Sequence, residues 1–118
     1  MNKGILEEKS FQFAIKIVEL NRYLVGEKKE YVLSKQILRS GTSVGANVSE
    51  AQFGQSKADF LSKMYIALKE AYETRYWLRL LAATSLIEPL YYSHILNDCN
   101  ELINMLVATC KTTKTNES

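Results

Sequence analysis

A chain of 118 residues, 47% apolar and 24% charged with a formal net charge of +2, can bury one hydrophobic core but not two. This balance excludes a largely disordered chain. The weak charge excludes the strongly basic footprint of many nucleic-acid binders.

Divided at Asp59, the first part carries nine Lys/Arg against seven Asp/Glu, a net +2, and the remainder six of each, a net zero. A basic surface must therefore come from the arrangement of helices, or from several copies together. Cys99 and Cys110 lie eleven positions apart, about 16 Å along one helix, so they cannot pair with each other and read as small buried hydrophobes. Met1-Asn2-Lys3-Gly4, followed by Glu7 and Glu8, lacks a signal peptide's apolar core. No apolar run approaches the roughly 20 residues of a membrane helix. A cytoplasmic location is the expectation.

Residues 1–9 read as frayed. Ser10 is placed as a helix cap, with Phe13, Ile17, Leu20 and Leu24 on one face and Phe11, Ala14 and Val18 widening it. Gly26 suits a left-handed cap, and Gly26-Glu27-Lys28-Lys29-Glu30 suits a solvated turn.

A second helix is expected from about Tyr31, burying Leu33, Ile37, Val44, Val48 and Ala51. Gly41 and Gly45 each cost about 1 kcal/mol relative to alanine inside a helix. With Ser49 they are spaced four apart, giving either a small-residue ridge where another backbone approaches or a bend at Ser40-Gly41-Thr42. The continuous helix is favoured.

Ser56-Lys57-Ala58-Asp59 resembles a capping box. It opens a third helix reaching about Ala83, with Phe60, Met64, Ala67, Ala71, Leu78 and Leu81 as its core stripe and Trp77 as a large anchor. Ser85–Glu88 make a turn, and Pro89 fits the first turn of a fourth helix. Leu90, Ile95, Leu96, Leu102, Ile103, Leu106 and Val107 form its apolar side, and the polar tail from Lys111 frays. Together these elements predict an all-α fold, an antiparallel up-down-up-down four-helix bundle. It is one domain over residues 1–118, frayed at about 1–9 and 112–118.

The chemistry of a helical bundle invites a di-iron site, which needs two Glu-x-x-His motifs. Glu70 and Glu73 have the spacing but no histidine follows, and the single histidine, His94, has Tyr91 three residues before it. Zinc lacks a ligand set, nucleotide folds lack a glycine-rich loop after a strand, and Ser40, Ser43 and Ser49 lack a base. The reading is no enzyme, no cofactor and no metal. An unusual polar set falls on the second helix, with Arg39, Asn47 and Glu50, and on the third, with Lys63, Glu70, Glu73, Arg75 and Arg79. It reads as a solvated face with weak local ion pairs, as a network between helices or subunits, or as a binding or catalytic pocket. Arg22, Lys28, Lys29, Lys35 and Arg39 cluster around the first turn, interrupted by Glu27 and Glu30. They are the candidate nucleic-acid contacts. Tyr23 and Tyr31 either stack on bases or pack at the bundle end.

The run Ser34-Lys35-Gln36-Ile37-Leu38-Arg39-Ser40-Gly41-Thr42-Ser43-Val44-Gly45-Ala46-Asn47-Val48-Ser49-Glu50-Ala51 continues in Ser56, Asp59-Phe60, Lys63, Ala67-Leu68-Lys69-Glu70-Ala71, Glu73-Thr74 and Tyr76-Trp77-Leu78. It closely resembles bacterial four-helix bundle proteins encoded by intervening sequences inside large-subunit ribosomal RNA genes. The resemblance covers about residues 10–85, and the fourth helix matches in pattern alone. It implies a non-enzymatic bundle of unassigned role. Through relatives that serve diversity-generating retroelements as accessory proteins, it also implies a homopentamer and an RNA or DNA partner. Those accessory proteins are strongly basic and this chain is not. The family motif falls on Arg39, Ser40, Ser43, Asn47, Glu50, Lys63, Glu70, Glu73 and Trp77. A protein–protein adaptor without nucleic-acid binding is the alternative reading.

Overall fold

A computed structural model describes residues 2–116. The described residues form four helices: α1 (Asn2–Gly26), α2 (Leu33–Ala51), α3 (Lys57–Ala83) and α4 (Pro89–Asn116). No strand occurs among the described residues. Each helix packs on its neighbour in sequence, and α1 also meets α4, in a body of 49 × 21 × 19 Å.

Contacts across the α2–α3 and α1–α4 seams run in opposite senses along the two helices. Arg39 of α2 reaches Glu70 of α3, whereas Glu50, further along α2, reaches Lys63, earlier on α3. Lys9 and Lys16 of α1 likewise meet Glu101 and then Asp98 of α4. The core contains Phe13, Ile17, Leu20 and Leu24 of α1 and Ile37, Val44 and Val48 of α2. Met64, Leu78 and Leu81 of α3 join Ile95, Leu102 and Leu106 of α4. Each such side chain contributes roughly 1.5–3 kcal/mol on burial.

The first helix starts eight residues before the expected cap. Leu6 is buried, Ser10 is completely so, and the Ser10 hydroxyl donates to the Glu7 carbonyl at 3.1 Å. Ser10 is an interior residue that satisfies itself against the preceding turn, and Leu6-Ser10-Phe13-Ile17-Leu20-Leu24 is one continuous buried stripe. Phe11 points outward instead, 61% exposed, and Leu90 of α4 is 70% exposed. The tail is helical as far as Asn116.

The turns also differ in detail. Gly26 is not left-handed; Lys29 is, at φ 56°, letting the Glu30 N–H reach the Leu24 carbonyl at 2.9 Å. Glu30, expected in a solvated turn, accepts the backbone N–H groups of Val32, Leu33 and Ser34 at 3.1, 2.9 and 2.7 Å. These are orphan donors at the start of α2. Burial raises the Glu30 pKa, but the three donors outweigh it and hold the carboxyl below its ordinary value. At the other end of α3, Ser85 takes φ 61° and the Leu86 N–H bonds to the Leu81 carbonyl at 2.9 Å, a Schellman closure.

The Ser56 hydroxyl caps α3 by accepting from the Asp59 N–H at 3.1 Å. Asp59 returns to Gln55 N–H at 3.2 Å, one residue earlier than in the standard box. Helix α2 is continuous, so the glycines mark close approach rather than a bend. A β-carbon at Gly41 would sit 2.7 Å from Ile17 Cγ1, and one at Gly45 would sit 3.1 Å from the Ser10 carbonyl oxygen.

Candidate functional site

The polar residues of α2 and α3 meet along one seam. Arg39 projects from α2 between two carboxylates one turn apart on α3. Its Nη1 lies 3.2 Å from Glu70 Oε1, and its Nη2 bonds to Glu73 Oε2. Trp77 Nε1 donates to the same Glu73 oxygen at 3.1 Å, with Tyr76 edge-on to the indole at 5.2 Å. The bond from Arg39, opposed by burial and aided by Trp77, holds the Glu73 carboxyl below its ordinary value. The same bond holds Arg39 more firmly protonated. Trp77 is half-buried against the core, so it serves both as packing surface and as donor to the ion pair.

Beneath this cluster lies a buried hydroxyl pair. Thr74 Oγ1 is 2.9 Å from Ser40 Oγ and 2.8 Å from the Glu70 carbonyl oxygen. One Thr74 proton serves only one of these contacts, so Ser40 supplies the other. No buried side-chain polar atom lacks a partner among the described residues.

Further along, Lys63 pairs with Glu50 at 2.8 Å. The structure thus brings together Glu70 with Glu73, and Glu50 with Lys63. Asn47 stays outside, donating to the Ser43 carbonyl of its own helix at 2.8 Å.

The basic residues around the first turn do not act as one group. Arg22, Lys28, Lys29 and Lys35 are exposed near one end, and Lys28 Nζ lies 6.0 Å from the Tyr23 ring centroid. Arg39 is drawn away into its two carboxylates, with which the sequence groups it in the α2–α3 polar set as well as in the first-turn cluster. A second cationic surface went unread. On α3, Tyr65, Lys69, Tyr72, Tyr76 and Arg79 are all exposed at alternating four- and three-residue steps. They therefore lie along one face. From Ser62 to Ala83 no exposed α3 residue is a carboxylate. Arg75 stacks on Tyr72 at 5.1 Å and donates to Asn100 Oδ1 at 3.0 Å. The alternation of tyrosine with lysine and arginine is visible in the sequence; which face it occupies is not.

Cys99 is buried with its thiol directed at the Ala71 carbonyl, 3.5 Å away. Burial, partly opposed by Arg75 and aided by Asp98, pushes its pKa up to about 12, so it is an unreactive thiol. No group of three or more metal-ligating side chains occurs among the described residues, and none of their helices is long and apolar enough to cross a membrane.

These features describe a helical protein in which Arg39, Glu50, Lys63, Glu70 and Glu73 join α2 to α3. The chain belongs to the 23S rRNA-intervening sequence protein family, whose model matches residues 3–108. It is similar to a solved structure from Bacteroides thetaiotaomicron VPI-5482, a protein with unknown function from the S23 ribosomal protein family. The two share 51% identity and a TM-score of 0.92 over 94% of this chain and 99% of that one. No curated protein matches the chain.

Proposed function

We propose that the protein is a non-enzymatic, antiparallel up-down-up-down bundle that associates with copies of itself and serves as a cytoplasmic scaffold. A pentamer is the favoured assembly. The observation that carries this reading is a set of outward apolar side chains distributed over the molecule. Phe53, Val32, Leu90 and Phe11 are 82%, 69%, 70% and 61% exposed. Phe11 borders a groove of about 540 Å³ between α1 and α2, together with Ala14, Thr42, Gly45 and Ala46. Phe11, an aromatic ring left in water at the rim of that groove, is the point on which a second protein surface would close.

Sedimentation equilibrium tests the proposal. A concentration-dependent oligomer that Phe11→Ser or Phe53→Ser weakens supports self-association. A monomer throughout removes it and leaves the adaptor reading, in which a different protein covers the same surface.

A second reading, RNA or DNA binding in kinship with the retroelement accessory proteins, is favoured by the carboxylate-free face of α3. Tyrosines offer stacking platforms and Lys69 and Arg79 offer phosphate contacts. By this reading Lys69→Gln/Arg79→Gln lowers affinity for single strands and reduces its salt dependence. A larger loss from Arg22, Lys28, Lys29 and Lys35 substitutions moves the contact to the first turn.

A further inference from the structure

Where the end of α1 faces the start of α4, a crevice of about 360 Å³ opens to solvent, lined by Glu19, Leu20, Tyr23, Ile87, Glu88 and Tyr91. Its chemistry is specific. Leu20 and Ile87 are 2% and 5% exposed and give it an apolar floor. Tyr23 and Tyr91 are both partly exposed aromatics. Glu19 and Glu88 are exposed at its rim, and their carboxylates make no hydrogen bond or ion pair with any described residue. On the same seam, Asp98 and Glu101 are matched by Lys16 and Lys9.

Burial first, then Glu19 and Asp98, push the Tyr91 hydroxyl up to about 12. The chain's own Lys28 already leans toward the Tyr23 ring, at 6.0 Å, and lines an adjoining hollow with Ile87 and Glu88.

Each class of ligand can be weighed against that lining. An anion meets two unmatched carboxylates. A bare metal ion would sit against an apolar floor with too few oxygen ligands. A neutral apolar molecule fills the floor but gains nothing from the two carboxylates at the rim. A cation carrying alkyl groups satisfies every element, since tyrosine faces attract its charge, carboxylates neutralise it, and its methyl groups cover the apolar floor.

We propose that this crevice is a binding site for a small organic cation of the alkylammonium or guanidinium type. Its charge lies between Glu19 and Glu88, and its apolar groups rest on Leu20 and Ile87. The site does not depend on self-association.

The test uses the full chain and follows the methyl NMR signals of Leu20 and Ile87 during titration. Choline is the first probe, 3,3-dimethyl-1-butanol is its uncharged carbon isostere, and arginine amide carries the guanidinium of a protein side chain. Saturable shifts with choline and none with the isostere are expected. Glu19→Gln with Glu88→Gln should weaken binding about tenfold, and Lys28→Gln, which removes the internal competitor, should tighten it. Saturation by arginine amide alone supports the site and assigns its cation to a partner's basic side chain, whereas saturation by choline assigns it to a free molecule. The proposal is overturned if neither cation saturates, if the isostere shifts the signals equally, or if the double glutamine variant, at unchanged melting temperature, binds as before.

Discussion

Helix α1 is held on its two sides by opposite means. Toward α2 it is gripped by backbone proximity, with Gly41 against Ile17 and Gly45 against the Ser10 carbonyl. Toward α4 it is bridged by two ion pairs of long side chains, Lys9–Glu101 and Lys16–Asp98, beyond which the seam opens into the Glu19–Tyr91 crevice. A gap of about 0.5–1 Å already forfeits roughly a quarter to a half of the dispersion attraction at van der Waals contact, whereas half-exposed charges tolerate movement and contribute little. The difference places stability on the α2 side and leaves room for a ligand on the α4 side.

The largest effect should come from breaking the tight side. In Gly45→Leu the new side chain meets the backbone of Ser10, which cannot rotate away, within a continuous helix. Overpacking of this kind should cost about 3 kcal/mol, lowering the melting temperature by roughly 10–20 °C. Thermal unfolding followed by circular dichroism gives the answer. A change of a few degrees would mean that α1 slides freely along α2 and that the glycine ridge is incidental. Gly45→Ala is the finer probe. Its β-carbon is tight at 3.1 Å, but alanine returns about 1 kcal/mol of helix propensity, so the two should nearly cancel.

The ridge was legible in sequence because four-residue spacing alone fixes a common helix face. The Ser56 cap and Pro89 were legible too, since both act within one turn of their own position. Other features required the helices to be brought together. Arg39 sits beside lysines in the chain, yet its partners are 31 and 34 positions away, and no local pattern announces them. Ser10 resembles a cap until Leu6 is seen to extend the buried stripe behind it. The organic-cation crevice joins Glu19 and Tyr23 to Ile87, Glu88 and Tyr91, two segments with no shared motif. The sequence also hid Phe11, whose apolar character fits a core stripe but whose angle on α1 turns it to solvent.

An intermediate effect should appear where α1 turns into α2. Glu30 closes that turn by accepting three backbone N–H groups as a carboxylate. Because its folded-state pKa is depressed, its contribution is fully present above the unfolded carboxyl pKa. It is lost as pH falls through the lower folded value. Glu73, held down chiefly by Arg39, acts in the same direction. Glu30→Ala should cost about 1 kcal/mol at neutral pH, as for other lost helix caps, and should make the melting temperature fall less steeply on acidification. If the variant and the parent lose stability in parallel through the acid range, Glu30 is not the titrating group and the turn is held by the Ser34 and Leu24 contacts.

The smallest effect belongs to the bridged side, and its smallness is what makes it informative. Lys16 and Asp98 are 51% and 34% exposed, so water and salt screen their attraction, and fixing two long side chains carries an entropic cost. A double-mutant cycle of Lys16→Ala and Asp98→Ala should return a coupling of about 0.2–1 kcal/mol. That coupling should shrink as salt is raised, because exposed charges are screened over about 8 Å at physiological ionic strength. The cost of Gly45→Leu, which removes no charge, should be unchanged by the same salt series. A coupling well above that range and indifferent to salt would make α1–α4 a rigid seam. The crevice would then be a fixed cleft rather than a gap between loosely joined helices, and choline should enter without altering the separation of α1 from α4.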